Sequence, residues 1–142
     1  MIMPSNPKSV ITVKTTVETT EEKVWSLWTD AKHIIHWNNA SNDWHTTKAE
    51  NDLRPGGKFL YRMEAKDGSM GFDFSGLYSI VEPFKTIKYT LDDGREVEIS
   101  FSENAGMTDI VEAFEAEEMN SLEMQRAGWQ AILDNFRKYA NK

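Results

Sequence analysis

Residues 121–140 read SLEMQRAGWQAILDNFRKYA. At about 100° per residue, Leu122, Trp129, Ile132, Leu133, Phe136, Tyr139 and Ala140 fall on one arc roughly 120° wide. Such an arc marks an amphipathic helix, here ~30 Å long, and Asn120 with Glu123 has the spacing of a capping box at its start. The segments before it carry a period of two. Phe59, Tyr61 and Met63 alternate with Leu60, Arg62 and Glu64. Phe72, Phe74, Gly76, Tyr78 and Ile80 fall on one face of the next run, which Pro83 ends. Ile87, Tyr89 and Leu91 form another run, then Val97, Ile99 and Phe101, then a last strand from about Thr108 to Glu115. Pro55-Gly56-Gly57, Asp67-Gly68, Asp92-Asp93-Gly94 and Asn104-Ala105-Gly106 are the turns between them. Successive strands with short turns pair antiparallel, because parallel pairs need long crossovers.

Further toward the N-terminus, Val10 to Val17 alternates with Thr and reads as a first strand. Thr19-Thr20-Glu21-Glu22 matches a capping box, with Thr19 as the cap. A helix with Val24, Leu27 and Trp28 along one side follows. Asp30 caps a second short helix through Ile34 and Ile35 to Trp37. The fold class is therefore α+β: a curved antiparallel sheet of about six or seven strands, two short helices, and a long C-terminal helix laid across the concave face.

Composition narrows the function. The chain of 142 residues suits one domain, with residues 1–9 expected to be a disordered N-terminus. There are no cysteines, which removes disulfides and thiolate metal sites and points to a reducing, cytoplasmic setting. Met1 to Pro7 holds two prolines and no apolar run, unlike a signal peptide. No segment approaches the ~20 apolar residues of a membrane span. Lys and Arg number 16 against 23 Asp and Glu, a net charge of −7 that argues against nucleic acid as partner.

Four stretches, taken in order, carry a resemblance: Pro55-Gly56-Gly57-Lys58-Phe59, Gly76 to Pro83, Glu112-Ala113-Phe114-Glu115, and Gln125 to Leu133. Together they resemble the START-like (SRPBCC, helix-grip) superfamily, and within it the family named for activators of the heat-shock protein 90 ATPase. The likeness runs from about Val10 to Tyr139. It implies a cavity between sheet and helix that takes small hydrophobic molecules. The eukaryotic co-chaperones of this family carry an additional N-terminal domain, and a first strand starting near residue 10 leaves no room for one. The expectation is accordingly a binding module without chemistry. The alternatives are a co-chaperone-like interaction protein and a polyketide cyclase or dehydratase-like enzyme, since START-like relatives include such enzymes.

The ligand-binding candidates are Trp37, Phe59, Tyr61, Phe72, Phe74, Tyr78, Glu112, Gln125, Trp129 and Phe136. Most are aromatic and suit burial of an apolar molecule. Glu112 shares a strand face with Ile110 and Phe114, which alternation turns inward. A buried acid must be neutral or paired, so it serves a ligand or proton, or it sits in a structural ion pair. A reversed strand parity would instead put it outside. Gln125 lies within the helix arc, where it either meets a ligand or is exposed near the helix start. Tyr61 and Tyr78 add phenols that can orient a ligand. No Ser-His-Asp or Cys nucleophile occurs, so no catalytic residue is nominated. His33 and His36, three apart on a helix, with Asp43 and His45 following, are best read as solvated side chains without metal. No cofactor is expected. A weak homodimer through a sheet edge is conceivable.

Overall fold

The computed structural model describes residues 9–142. The expected disorder of the N-terminus concerns residues that lie, Ser9 apart, outside the described residues. Ten elements follow one another. They are β1 (Val10–Val17), α1 (Glu21–Thr29), α2 (Ala31–Trp37), β2 (Trp44–Asn51), β3 (Lys58–Ala65), β4 (Gly71–Glu82), β5 (Thr86–Leu91), β6 (Glu96–Asn104), β7 (Met107–Glu115) and α3 (Leu122–Ala140). The strands form one antiparallel sheet in the order β1-β7-β6-β5-β4-β3-β2. Everything from β2 to β7 is a meander of neighbouring hairpins. The two short helices carry the chain from one edge, β1, to the other, β2.

Two irregularities bend this sheet around α3. Register shifts occur between Thr46 and Lys48 in β2 and between Tyr78 and Ile80 in β4. A bulge adds a residue, bends its strand and reverses which side chains point inward. That reversal corrects one expectation. Ile80 does not continue the inward face of Phe74 and Tyr78; it is exposed, and Val81 packs against the core instead. Gly76 serves the same curvature. A Cβ there would lie 2.4 Å from the Thr90 carbonyl oxygen and 3.1 Å from the Phe59 ring, so no side chain fits between the strands and the core ring.

Both expected capping boxes are displaced by one residue. Thr20, not Thr19, caps α1, its side chain accepting from the Lys23 amide, and Ser121, not Asn120, caps α3, accepting from the Met124 amide. Thr19 and Thr20 are the same residue type and Asn and Ser are comparable caps, so the first residue with helical geometry decides between adjacent candidates. Asp30 caps α2 as expected, accepting from the Lys32 amide.

The core joins the C-terminal half of α3 to the short helices and the middle of the sheet. Phe136 packs edge-on to Trp28 and Trp37, with ring centroids 4.9 and 4.8 Å away, and Trp28 in turn meets Phe101 at 5.7 Å. Trp25, which the sequence pattern overlooked, is buried and meets Phe101 at 5.6 Å. Polar contacts lock the same region. The Trp37 indole donates to the Leu27 carbonyl, Asn135 donates to the Trp37 carbonyl, and the Thr46 hydroxyl donates to the Asn38 carbonyl. At the far side of the sheet, Arg126 and Gln130 of α3 donate to the β1 carbonyls of Thr12 and Lys14. These side chains occupy edge acceptors that a second copy would need.

Candidate functional site

Toward the start of α3 the helix and the sheet part, leaving a cleft of about 330 Å³. Its floor comes from β3, β4, β5 and β7, its roof from α3, and its inner end from Trp28 and Trp37. Two residues open the roof. Gly128 contributes no side chain, and a Cβ built there meets nothing within 4 Å. Trp129 borders the space with its ring laid flat on Phe114 at 3.9 Å and 10°.

The strands place a polar group at the floor for a simple reason. In β7, Thr108, Ile110, Glu112 and Phe114 alternate inward, so Glu112 falls in a row with Val13, Ile99 and Ile87 of the neighbouring strands. The parity read from sequence is therefore right. Glu112 is 7% exposed, and no ion pair or hydrogen bond reaches its carboxyl among the described residues. The structural ion pair is thus not what holds it. Burial alone pushes its pKa up to about 8, because a charge in this setting loses its water and gains no partner.

Three phenols face the same floor. Tyr78 donates to Asn51, whose amide donates on to the Thr29 carbonyl. Tyr61 lies beside Phe59 and Phe74, ring centroids 5.1 and 6.3 Å away. Burial pushes the Tyr78 phenol up to about 12 and lifts Tyr61 well above the ordinary tyrosine value. Tyr89 is raised too, first by burial and then by the neighbouring Glu112. Its hydroxyl, like the Glu112 carboxyl, has no hydrogen-bond partner among the described residues. Arg95 lines the cleft from the β5–β6 turn while its Nε donates to Asp93 at 2.8 Å.

Of the sequence candidates, Trp37, Tyr61, Phe72, Phe74, Tyr78, Glu112, Gln125 and Trp129 line the cleft. Phe59 and Phe136 do not. They are 1% and 0% exposed and packed beneath the lining rings, since alternation and helical phase mark an inward side chain without telling how deep it lies. Leu122 was expected on the inward arc but is 50% exposed, because the helix begins beyond the edge of the packed surface. Gln125 is buried rather than exposed. Its amide is used by the preceding loop: Oε1 accepts from the Glu117 amide, and Nε2 donates to the carbonyls of Glu117 and Asn120.

Sequence reasoning missed Trp28, Ile87, Tyr89 and Arg95 as lining residues. Tyr89 was already on the inward face of its strand and could have been nominated by the logic that found Tyr61. Arg95 follows a turn and had no periodic signal. His33 and His36 sit on α2 facing Tyr139, His33 through Nδ1 at 2.7 Å and His36 by ring stacking. The described residues hold no group of three or more metal-ligating side chains. No helix among them is long and apolar enough to cross a membrane.

A seven-stranded antiparallel sheet curled around a C-terminal helix, with a cleft left between them, defines a helix-grip protein of the START-like kind. The family model described as activator of Hsp90 ATPase homolog 1-like protein matches residues 18–141, and the chain belongs to that family. Two solved structures are similar in sequence as well as shape. The solution structure of an AHSA1-like protein from Aeromonas hydrophila is 45% identical, with 92% of this chain and 91% of that one covered and a TM-score of 0.87. A protein from Cytophaga hutchinsonii is 50% identical over 91% and 90% of the two chains, with a TM-score of 0.81. A Chromobacterium violaceum protein shares the fold at 20% identity and a TM-score of 0.85, covering 94% of this chain and 99% of its own. No curated protein matches the chain.

Proposed function

We propose that this protein binds a small, mainly apolar molecule in the cleft beneath α3, in the cytoplasm and without chemical turnover. The observation that carries the reading is an aromatic-walled cleft into which the polar tips of Tyr89 and Glu112 open, neither of them hydrogen-bonded within the described residues. A ligand that fills the cleft can meet those tips, while affinity comes mainly from buried apolar area. Native mass spectrometry of the freshly purified chain tests the idea. A co-purifying small molecule, or quenching of the cleft tryptophans by added apolar compounds, is the expected result. A uniformly empty protein that leaves its tryptophan emission unchanged across an apolar panel would sink it.

One observation favours a second reading. Burial raises the Glu112 carboxyl to about 8 at the cleft floor, the setting in which a carboxyl can act as a general acid. The enzyme alternative, cyclase or dehydratase-like, requires product formation that disappears in Glu112→Gln with the fold intact. For an interaction with a chaperone-type partner, the exposed Met119, Leu122 and Met124 at the start of α3 are the surface to test. A homodimer formed through β1 would have to displace Arg126 and Gln130 from the edge carbonyls. The net charge of −7 continues to argue against nucleic acid.

A further inference from the structure

The lining of the cleft is unevenly charged, and Arg95 is the one basic residue in it among the described residues. The strand register puts it there. The Arg95 carbonyl accepts from the Leu91 amide at 2.8 Å, which extends the β5–β6 ladder by one pair and sets Arg95 two residues before the inward Val97. Alternation therefore turns its side chain under the helix, where it is only 18% exposed. Asp93 fixes it from the outside. The Arg95 amide and Nε donate to the two Asp93 carboxylate oxygens at 3.1 and 2.8 Å, and the Asp93 side chain is 53% exposed. Nε carries the one hydrogen bond of the guanidinium among the described residues, which leaves the N–H groups of Nη1 and Nη2 for the cleft. The other titratable groups facing the space are Tyr61, Tyr78 and Tyr89 of β3, β4 and β5, Glu112 of β7, and Glu117 of the loop after β7. The Glu117 carboxylate accepts from the Asn120 amide and forms no ion pair with Arg95. Strand order then gives the cleft a direction. Arg95, Glu112 and Glu117 stand at the β6–β7 side, while Met63, Phe72 and Phe74 of β3 and β4 make an apolar end across the sheet.

We propose that the cleft binds a small carboxylic acid on an apolar frame, with the carboxylate seated on the terminal nitrogens of Arg95 and the frame among the rings beneath α3. The inference rests on the binding reading above and adds the chemistry of the ligand's polar end. A ligand that fills the cleft displaces the water that solvates Nη1 and Nη2. A hydrocarbon offers nothing in exchange, and a charge stripped of water without a partner is costly. An ammonium would set a second cation beside the guanidinium. A neutral carbonyl supplies an acceptor but no opposing charge. A carboxylate supplies both, and its two oxygens match two parallel N–H groups of the planar fork. The nearby acids leave room for it. Asp93 holds Nε from the exposed side, Glu117 is engaged with its own loop, and the buried Glu112 carboxyl, raised to about 8, carries its proton at neutral pH.

The test compares four molecules of one planar shape: 2-naphthoate, 2-naphthamide, 2-naphthamidine and 2-isopropenylnaphthalene. They present an anion, a neutral polar group, a cation and an apolar group to the same seat. Each is titrated into the full chain at about pH 7 and about 0.15 M salt, where distant exposed charges are screened, and is followed by amide NMR shifts, which also report the fold of every variant. Naphthoate is expected to bind about tenfold tighter than naphthamide, with naphthamidine the weakest of the polar three. Arg95→Met should abolish the preference for naphthoate while leaving the affinity of the hydrocarbon within about twofold. Arg95→Gln keeps a donor for Asp93 but loses the charge and the fork, so it should give the same loss, and it decides the matter if the apolar variant fails to fold. Lys88, next to the inward Tyr89 in β5, lies on the opposite face of the sheet. Lys88→Met removes the same charge there and should leave the preference intact. Naphthamide or naphthamidine binding as tightly as naphthoate, a preference that survives in folded Arg95→Met or Arg95→Gln, or an equal loss in Lys88→Met would each overturn the arginine seat while leaving an apolar binding site standing. If none of the four binds, the apolar cleft itself is refuted, and the seat with it.

Discussion

The two halves of α3 cover the same sheet in different ways. The C-terminal half is sealed: Leu133, Phe136 and Ala140 are buried against Trp28, Trp37 and the short helices. The N-terminal half stands off, with Gly128 opposite open space and Trp129 laid flat on Phe114. One amphipathic helix thus does two jobs, closing the core at one end and roofing a cleft at the other. The difference lies in what faces it. Two tryptophans from α1 and α2 rise to fill the sealed end, while at the open end the helix has only sheet side chains beneath it.

The largest expected effect sharpens that contrast. Phe136→Ala should lower the unfolding free energy by about 3–5 kcal/mol in denaturant titrations, because it leaves a cavity among rings that cannot close over it. A loss below about 1 kcal/mol would break the claim that this end is sealed.

Next comes the acid at the open end. The folded state holds the Glu112 proton up to about pH 8, whereas the unfolded chain releases it near 4.5. Its contribution to stability is therefore full below about pH 4.5 and is lost as the pH rises toward 8. Glu112→Gln removes that loss. The variant should match the native protein near pH 4 and be more stable by roughly 4–5 kcal/mol near pH 8, taking about 1.4 kcal/mol per pH unit. Parallel stability–pH curves for the two proteins would show that the carboxyl is not held as described.

Trp129→Ala should cost about 1–2 kcal/mol, clearly less than Phe136→Ala. It forfeits a ring stack on Phe114 but opens little new void, since the ring already borders the cleft. A loss equal to that of Phe136→Ala would place Trp129 in packed core.

Gly128 gives the smallest effect, with the opposite sign. Gly128→Ala should stabilise the protein by about 0.5–1 kcal/mol, because alanine is the better helix former and its methyl enters empty space. The larger Gly128→Leu should leave the melting temperature near that of the native chain while blocking uptake of apolar probes. Destabilisation by Gly128→Ala would mean that the roof is closer to the sheet than the cleft requires.

Much of the site could be read before the fold was seen, and the misses share one cause. Period-two alternation turned Tyr61, Phe74, Tyr78 and Glu112 inward, and β7 kept that parity throughout. It failed at Ile80, where a bulge changed the parity with no turn residue to announce it. Helical phase found Leu133 and Phe136 but also nominated Leu122, since phase is blind to where the packed surface ends. Phe59 and Tyr61 looked equivalent as alternating aromatics. Only packing separated them, with Phe59 below the floor and Tyr61 on it.

The sequence by itself determined the order of elements, the antiparallel sheet and the docking of a long C-terminal helix. Those follow from local periodicity, turn chemistry and the need to bury one face of each element. Tertiary structure alone decided that the space under α3 is filled at one end and open at the other. It also decided that Gln125 serves its own loop and that Glu112 and Tyr89 are left without partners. Each of those outcomes depends on which side chains from distant strands and helices reach a given point. Satisfaction of a polar group is a property of its neighbours in space, and neighbours in the chain do not specify it.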